Sequence, residues 1–223
     1  MTLAALQPPA PGRSASGGFE GGAGAIEALL ASPAGPARGI AVICHPHPLY
    51  GGAMSNKVVY SLAAVALQQG LHALRFNFRG VGRSAGVHDH AVGEADDTLL
   101  AVAWMRAHYP GLPLLLAGFS FGAYISLKVA RQAGAQALAS VAPPFGFYRD
   151  QDRDPEHPGC PWWVIHSRDD DTVSFEDTAR HLAAYEPAPE QVTVDGAGHF
   201  FHGRLTELQD HLRPFVGRVF GAA

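Results

Sequence analysis

Short, almost unbroken apolar runs alternate along this chain with longer segments whose apolar positions recur every three or four residues. "GIAVIC" (39–44), "LPLLLAG" (112–118), "AQALASVA" (135–142) and "WWVIHS" (162–167) have strand length and carry apolar residues toward both faces. That pattern suits strands buried on both sides. "GAIEALLAS" (24–32), "LHALRFNF" (71–78) and "EQVTVD" (190–195) complete the predicted strands. Between them, "SNKVVYSLAAVALQQ" (55–69) sets Val58, Leu62, Val65 and Gln69 at helical spacing, with Gly70 as a stop. "EADDTLLAVAWMRAHY" (94–109) has acids in its first turn and Arg and His in its last, matching the helix dipole. "FGAYISLKVARQ" (121–132) and "SFEDTARHLAAY" (174–185) are predicted helices, the second with Ser174 and Asp177 as a capping pair. A last helix carries Leu205, Leu208, Leu212, Phe215 and Val219 on one side, and Pro214 is expected to kink it or start a new turn. The alternation predicts an α/β fold: a mostly parallel central sheet with helices on both faces, binding its ligands beyond the carboxyl ends of the strands.

Composition narrows this picture. With 223 residues, 47% of them hydrophobic, the chain suits a single domain over 18–223. Residues 1–17 are rich in Ala, Pro, Gly and Ser and are expected to form a flexible N-terminal arm. The piece "PPFGFYRDQDRDPEHPGCP" (143–161) reads as a surface loop. A net charge of −4 with no basic stripe gives no footprint for nucleic acid. Two cysteines, Cys44 and Cys160, make neither a disulfide framework nor a four-ligand zinc cluster. No Lys or Arg precedes the first apolar stretch, as a signal peptide would require, and no apolar run approaches the ~20 residues of a membrane span. The expectation is a cytoplasmic monomer or homodimer with no nucleic-acid or membrane partner.

The candidate chemistry sits at predicted strand ends. Gly118-Phe119-Ser120-Phe121-Gly122 matches G-x-S-x-G, with a strand before it and a helix after. A turn that tight projects the serine hydroxyl above the sheet, and the new helix points its N–H groups toward any nearby negative charge. Ser120 is therefore the candidate nucleophile. A serine needs a base to take its proton. "VDGAGHFFHGR" supplies His199, in a glycine-flanked loop directly after a strand, and His202 as the alternative. The base needs an acid to fix its tautomer. Asp169, Asp170 and Asp171 follow "WWVIHS"; Asp170 is favoured, standing three before Val173, the next residue able to tuck into the core. The order Ser, Asp, His along the chain is that of one known serine triad. An oxyanion hole would use the N–H of Phe121 and a second donor from the loop 44–57. In its "HPHP" only His45 and His47 have an N–H; His47 is the first choice, and Leu49 or Tyr50 comes next. His45 and His47 as metal ligands lack further ligands at a recognisable spacing, so no metal or other cofactor is expected. Tyr50, Phe119 and Phe145, with Phe121 and Phe147, are candidates for an apolar acyl pocket. Gly80-x-Gly82-x-x-Ala85 imitates a dinucleotide fingerprint, but a polar, glycine-broken stretch follows it, and Arg79 and Ser84 are better read as braces for the loops.

Together, "CHPHPLYGG", "NKVV", "RFNFRGVGRSAG", "GEADD", "LAGFSFGAYISL" and "GAGHFFHGR" resemble the α/β-hydrolase superfamily. More closely, they are similar to small, lidless bacterial serine hydrolases of carboxylesterase type, related to dienelactone hydrolases. The resemblance spans the chain from about Gly39 onward. It implies an α/β-hydrolase fold without a cap, a Ser120–His199–Asp170 triad and hydrolysis of small-molecule esters with short acyl chains. Where such proteins carry Gly-Asp-x-Asp, this chain reads Ser167-Arg168-Asp169-Asp170, and its nucleophile position holds serine where dienelactone hydrolases proper have cysteine. The same triad would also serve an acyltransferase or a peptidase, and a non-catalytic binding module on this fold is the remaining alternative.

Overall fold

The computed structural model of the chain describes residues 3–148 and 154–221. Along β3 (Gly39–Cys44), side chains alternate between two cores, as the period of two in a strand requires. Ile40, Val42 and Cys44 enter one core, and Ala41 and Ile43 enter the other. β5 (Leu114–Phe119) behaves in the same way, with Leu114 and Leu116 on one side and Leu115, Ala117 and Phe119 on the other. A strand that feeds two cores has no room for polar residues, which is why these runs are continuously apolar.

The remaining strands are β1 (Ser14–Gly21), β2 (Gly24–Ala31), β4 (Leu71–Phe76), β6 (Ala137–Val141), β7 (Trp162–Ser167) and β8 (Glu190–Val194). They form one eight-stranded sheet in the order β1-β2-β4-β3-β5-β6-β7-β8. β1–β2 and β2–β4 pair antiparallel, and all the others pair parallel. One face is covered by α1 (Lys57–Gln68) and α5 (Leu205–Phe220), through Leu62, Val65, Leu208, Leu212 and Phe215. The other face packs α2 (Gly93–His108) and α3 (Phe121–Ala130), through Val102, Met105, Tyr124 and Ile125. The short α4 (Phe175–Leu182) begins at Ser174, whose hydroxyl accepts the Asp177 N–H at 3.1 Å. Asn56 caps α1 in the same manner. α5 runs unbroken through Pro214, where a kink or a new turn was expected.

The largest departure from the sequence reading is at the N-terminus. β1 begins at Ser14, inside the expected arm, and pairs along its whole length with β2. Upstream of it, the Leu6 N–H donates to Gly18 O, the Gly18 N–H donates to Ala4 O, and Leu6 is only 2% exposed. The glycines permit this: a Cβ on Gly17 would lie 2.8 Å from Ala4 O and from Leu6 Cα. Backbone hydrogen bonds and the burial of Leu6 hold this segment in place.

Between β6 and β7, the described residues of 142–161 contain neither helix nor strand, and 149–153 of the expected surface loop lie outside the described residues. No helix among the described residues is long and apolar enough to cross a membrane.

Candidate active site

At the carboxyl end of β5 the chain turns into α3 within one residue. Ser120 takes φ 53° and ψ −122°, a left-handed conformation that costs about 1–3 kcal/mol and persists only where its surroundings enforce it. Here the Ser120 N–H donates to Val141 O at 2.8 Å, while its carbonyl accepts from the Ala123 and Tyr124 amides at the start of α3. Both flanking glycines are required by close approach. A Cβ on Gly118 would stand 2.2 Å from Gly122 O, and one on Gly122 would stand 2.3 Å from Cys44 O. The turn is thus wedged against the end of β3, and the hydroxyl projects above the sheet.

Ser120 Oγ lies 3.1 Å from His199 Nε2, and His199 Nδ1 lies 2.8 Å from Asp170 Oδ2. The three side chains come from loops after β5, β8 and β7. Phe119 and Phe200 hold the imidazole between them, with ring centroids 4.8 Å and 5.0 Å from it. The Asp170 side chain is inaccessible to solvent. Its Oδ1 accepts the Thr172 and Val173 amides at 2.9 and 2.8 Å, so Val173 ties down the turn that presents the carboxylate. Burial pushes the Asp170 carboxyl upward, but hydrogen bonds from His166, His199 and the Val173 amide outweigh it and hold the group well below the usual carboxylate range. An ionised carboxylate facing His199 Nδ1 keeps the proton there, which leaves Nε2 free to accept one from a hydroxyl.

The other two aspartates go elsewhere. Asp169 accepts from Ser167 Oγ at 2.6 Å and from the Gly196 amide at 2.8 Å, joining the end of β7 to the loop that carries His199. Asp171 is exposed and accepts from Thr172 Oγ1 at 3.2 Å. His202 is exposed, with its ring against Phe200.

The loop after β3 forms the opposite wall. Phe121 is the first residue of α3, so its N–H has no acceptor within the helix. Among the three candidates for the second donor, Leu49 donates to His47 Nδ1 at 3.1 Å and Tyr50 donates to His47 O at 3.1 Å. Both amides are spent inside the turn. The His47 N–H has no acceptor among the described residues, which leaves it available. Burial and the nearby His88 lower the His47 imidazole from its ordinary value, so its neutral form is favoured beside the site.

His45 fixes this loop. Its Nδ1 donates to Pro46 O at 2.6 Å and its Nε2 accepts the Phe78 N–H at 3.0 Å, so neither nitrogen is free to bind a metal. Burial pushes its pKa down to about 4. The fingerprint-like turn at 80–85 also braces: Arg79 binds Asp97 through two nitrogens at 3.0 and 2.7 Å, and Ser84 Oγ links the Glu27 amide to Asn77 O. The buried carboxylate of Glu94 collects His88 Nδ1 and the Asp89 and Ala91 amides, ordering the neighbouring loop.

Two expected pocket residues are corrected. Phe119 is fully buried with Leu115 and Ala117 on the α1–α5 side, where strand alternation sends it, and it supports His199 from behind. Phe145 is buried and stacks on His181 with ring planes 12° apart, so it anchors the loop after β6. Tyr50 alone of the three is exposed, at 86%, with its ring 4.7 Å from His47. Sequence reasoning missed His166, on β7, whose Nε2 lies 3.0 Å from Asp170 Oδ2. The available signal was an imidazole near the end of an otherwise apolar strand, four residues before the favoured aspartate.

The family model described as "Serine aminopeptidase, S33" matches residues 35–151. Among solved structures, the lidless α/β serine hydrolase XC6422 of Xanthomonas campestris is 37% identical, with a TM-score of 0.88 over 97% of this chain and 100% of that one. An α/β serine hydrolase homologue from Coxiella burnetii is 38% identical, with a TM-score of 0.84 over 94% and 99% of the two chains. RP471 of Rickettsia prowazekii, described as uncharacterized, is 32% identical over 206 residues, 89% of this chain and 87% of that one.

Proposed function

This chain belongs to the α/β-hydrolase superfamily as a serine hydrolase without a lid, and from that premise we propose that it cleaves carboxylic esters of short acyl chains through Ser120, His199 and Asp170. The observation that carries the proposal is the unbroken chain from Ser120 Oγ through His199 to Asp170 Oδ2, at 3.1 and 2.8 Å, built on a strained serine turn.

His199 Nε2 removes the hydroxyl proton as Ser120 Oγ attacks the ester carbonyl carbon. The carbonyl oxygen becomes an oxyanion, to which the N–H groups of Phe121 and His47 donate. Collapse of the tetrahedral intermediate expels the alcohol, which takes the proton from His199, and leaves an acyl group on Ser120. Water, deprotonated by the same imidazole, then attacks the acyl-enzyme, releasing the carboxylic acid and restoring the serine. Asp170 holds the tautomer and stabilises the imidazolium at each stage.

The short-chain preference rests on the missing cap. The described part of 142–161 has no helix or strand that could close over a long chain, and Tyr50, whose ring lies against His47, is exposed. The test is turnover against a panel of acetyl to dodecanoyl esters, with matched thioesters, amides and aminoacyl anilides, using Ser120→Ala as the blank. Ester turnover that falls with acyl length supports the proposal. Turnover of the anilides alone would replace it with a peptidase, and interfacial activation on emulsified triglycerides would contradict the open site.

A further inference from the structure

His166 is the fifth residue of β7, buried, with the edge of the Phe175 ring against it. Its Nε2 lies 3.0 Å from Asp170 Oδ2 and 3.1 Å from Val173 O. Both neighbours are acceptors, so Nε2 carries the hydrogen and donates to both. The other ring nitrogen, Nδ1, is buried without a hydrogen-bond partner among the described residues, so a second proton there would have no acceptor. The ring thereby presents its Nε2–H to Asp170.

This completes the carboxylate. Oδ2 receives two imidazole N–H groups, from His199 and His166, and Oδ1 receives two amides, from Thr172 and Val173. All four of its acceptor sites are filled, and it cannot rotate without breaking several bonds. The two imidazoles also compete for the charge on one oxygen, so His166 tempers the pull that Asp170 exerts on His199.

Resting on the Ser120–His199–Asp170 reading above, we propose that His166 is a positioning residue: it locks the Asp170 carboxylate toward His199 and sets how strongly that carboxylate favours the protonated base. Loss of the His166 donor returns electron density to Oδ2, stabilises the His199 imidazolium and moves the acid limb of the activity profile to higher pH. His199 also meets Ser120 Oγ and the rings of Phe119 and Phe200. Asp169 is turned to Ser167 and Gly196, Asp171 and His202 are exposed, and Arg168 pairs with Asp195 at 3.2 Å. A substitution at His166 leaves these groups in place, so they supply a constant background.

The experiment measures the rate of Ser120 labelling by a fluorophosphonate against pH, which needs no knowledge of the substrate. His166→Leu removes the donor, and His166→Asn offers an amide that stops short of the Nε2 position. His166→Gln places an amide nitrogen where Nε2 stands. Thermal melts confirm that each variant is folded, and the Asn and Gln pair suffices if Leu is not. The expected result is labelling slowed on the order of 10-fold to 100-fold in Leu and Asn. Their acid limb should rise by roughly half a pH unit, smaller than the shift of one to three units that a full neighbouring charge produces. Gln should restore most of the rate and the wild-type limb. Slower labelling with an unmoved limb in Leu and Asn, or no rescue by Gln, would overturn the inference. Absence of labelling in the wild-type protein would instead overturn the triad reading beneath it.

Discussion

Replacing Asp170 by Asn should abolish nearly all activity while leaving the fold in place, and the structure says why. Two backbone amides, from Thr172 and Val173, point at Oδ1. An asparagine at this position keeps its carbonyl oxygen there, because its NH₂ group could not accept either of them. The NH₂ group therefore replaces Oδ2, where it faces His199 Nδ1, 2.8 Å away, and displaces the hydrogen bond from His166 Nε2. A donor at that place makes Nδ1 the acceptor and moves the imidazole proton to Nε2, the nitrogen that must take the proton from Ser120 Oγ. The wrong tautomer costs on the order of 10⁴-fold in kcat, equivalent to about 5.4 kcal/mol at ~1.36 kcal/mol per decade. The assay is kcat on a short-chain ester, with thermal unfolding as the control for folding. Asp171→Asn should be silent, since that side chain is exposed and bonds the neighbouring Thr172, and Asp169→Asn should cost less than about 10-fold, by loosening the link to Gly196. An Asp170→Asn enzyme within about 10-fold of wild type, or an equal loss from either neighbour, would refute the tautomer argument.

Leu6→Ala should lower unfolding stability by about 2–3 kcal/mol in urea titrations, because this side chain is packed in the core that also holds Phe19; no change would mean that the segment before β1 contributes nothing. Gly122→Ala should yield protein that neither labels nor turns over ester, since its Cβ would meet the Cys44 carbonyl at 2.3 Å, whereas Gly35→Ala, with open space around it and no left-handed backbone, should keep its catalytic rate. The His45 pKa of about 4 lies below that of an unfolded histidine, ~6.5, so the unfolded state binds more protons between these values and stability falls as pH drops through that window. His45 alone should remove about 2 kcal/mol between pH 7 and pH 5, and His45→Gln should flatten that part of the stability–pH curve; an unchanged slope would contradict the assignment.

The sequence made most of the parallel sheet visible because β3, β5, β6 and β7 are buried on both faces and read as runs dominated by apolar residues. Ser120 was visible for a related reason: its two glycines answer backbone clashes, and those leave a mark on residue type. Asp170 could be chosen among three aspartates because Val173 needed a place in the core, and its amide proves to be one of the carboxylate's anchors. β1 was hidden because its sequence, SASGGFEG, has almost nothing to pack, and backbone pairing to β2 carries it. Phe119 stands next to Ser120 in sequence, but its parity with Leu115 and Ala117 places it on the α1–α5 face of the sheet. Phe145 and His181 meet only through the tertiary fold, so no local pattern could pair them.

The most direct measurement is the site and stoichiometry of covalent labelling. Intact-mass and peptide-mapping spectra after treatment with a fluorophosphonate should show one adduct per chain, on Ser120, absent in Ser120→Ala and strongly slowed in His199→Asn. An adduct on any other serine, or none on folded protein, would contradict the account.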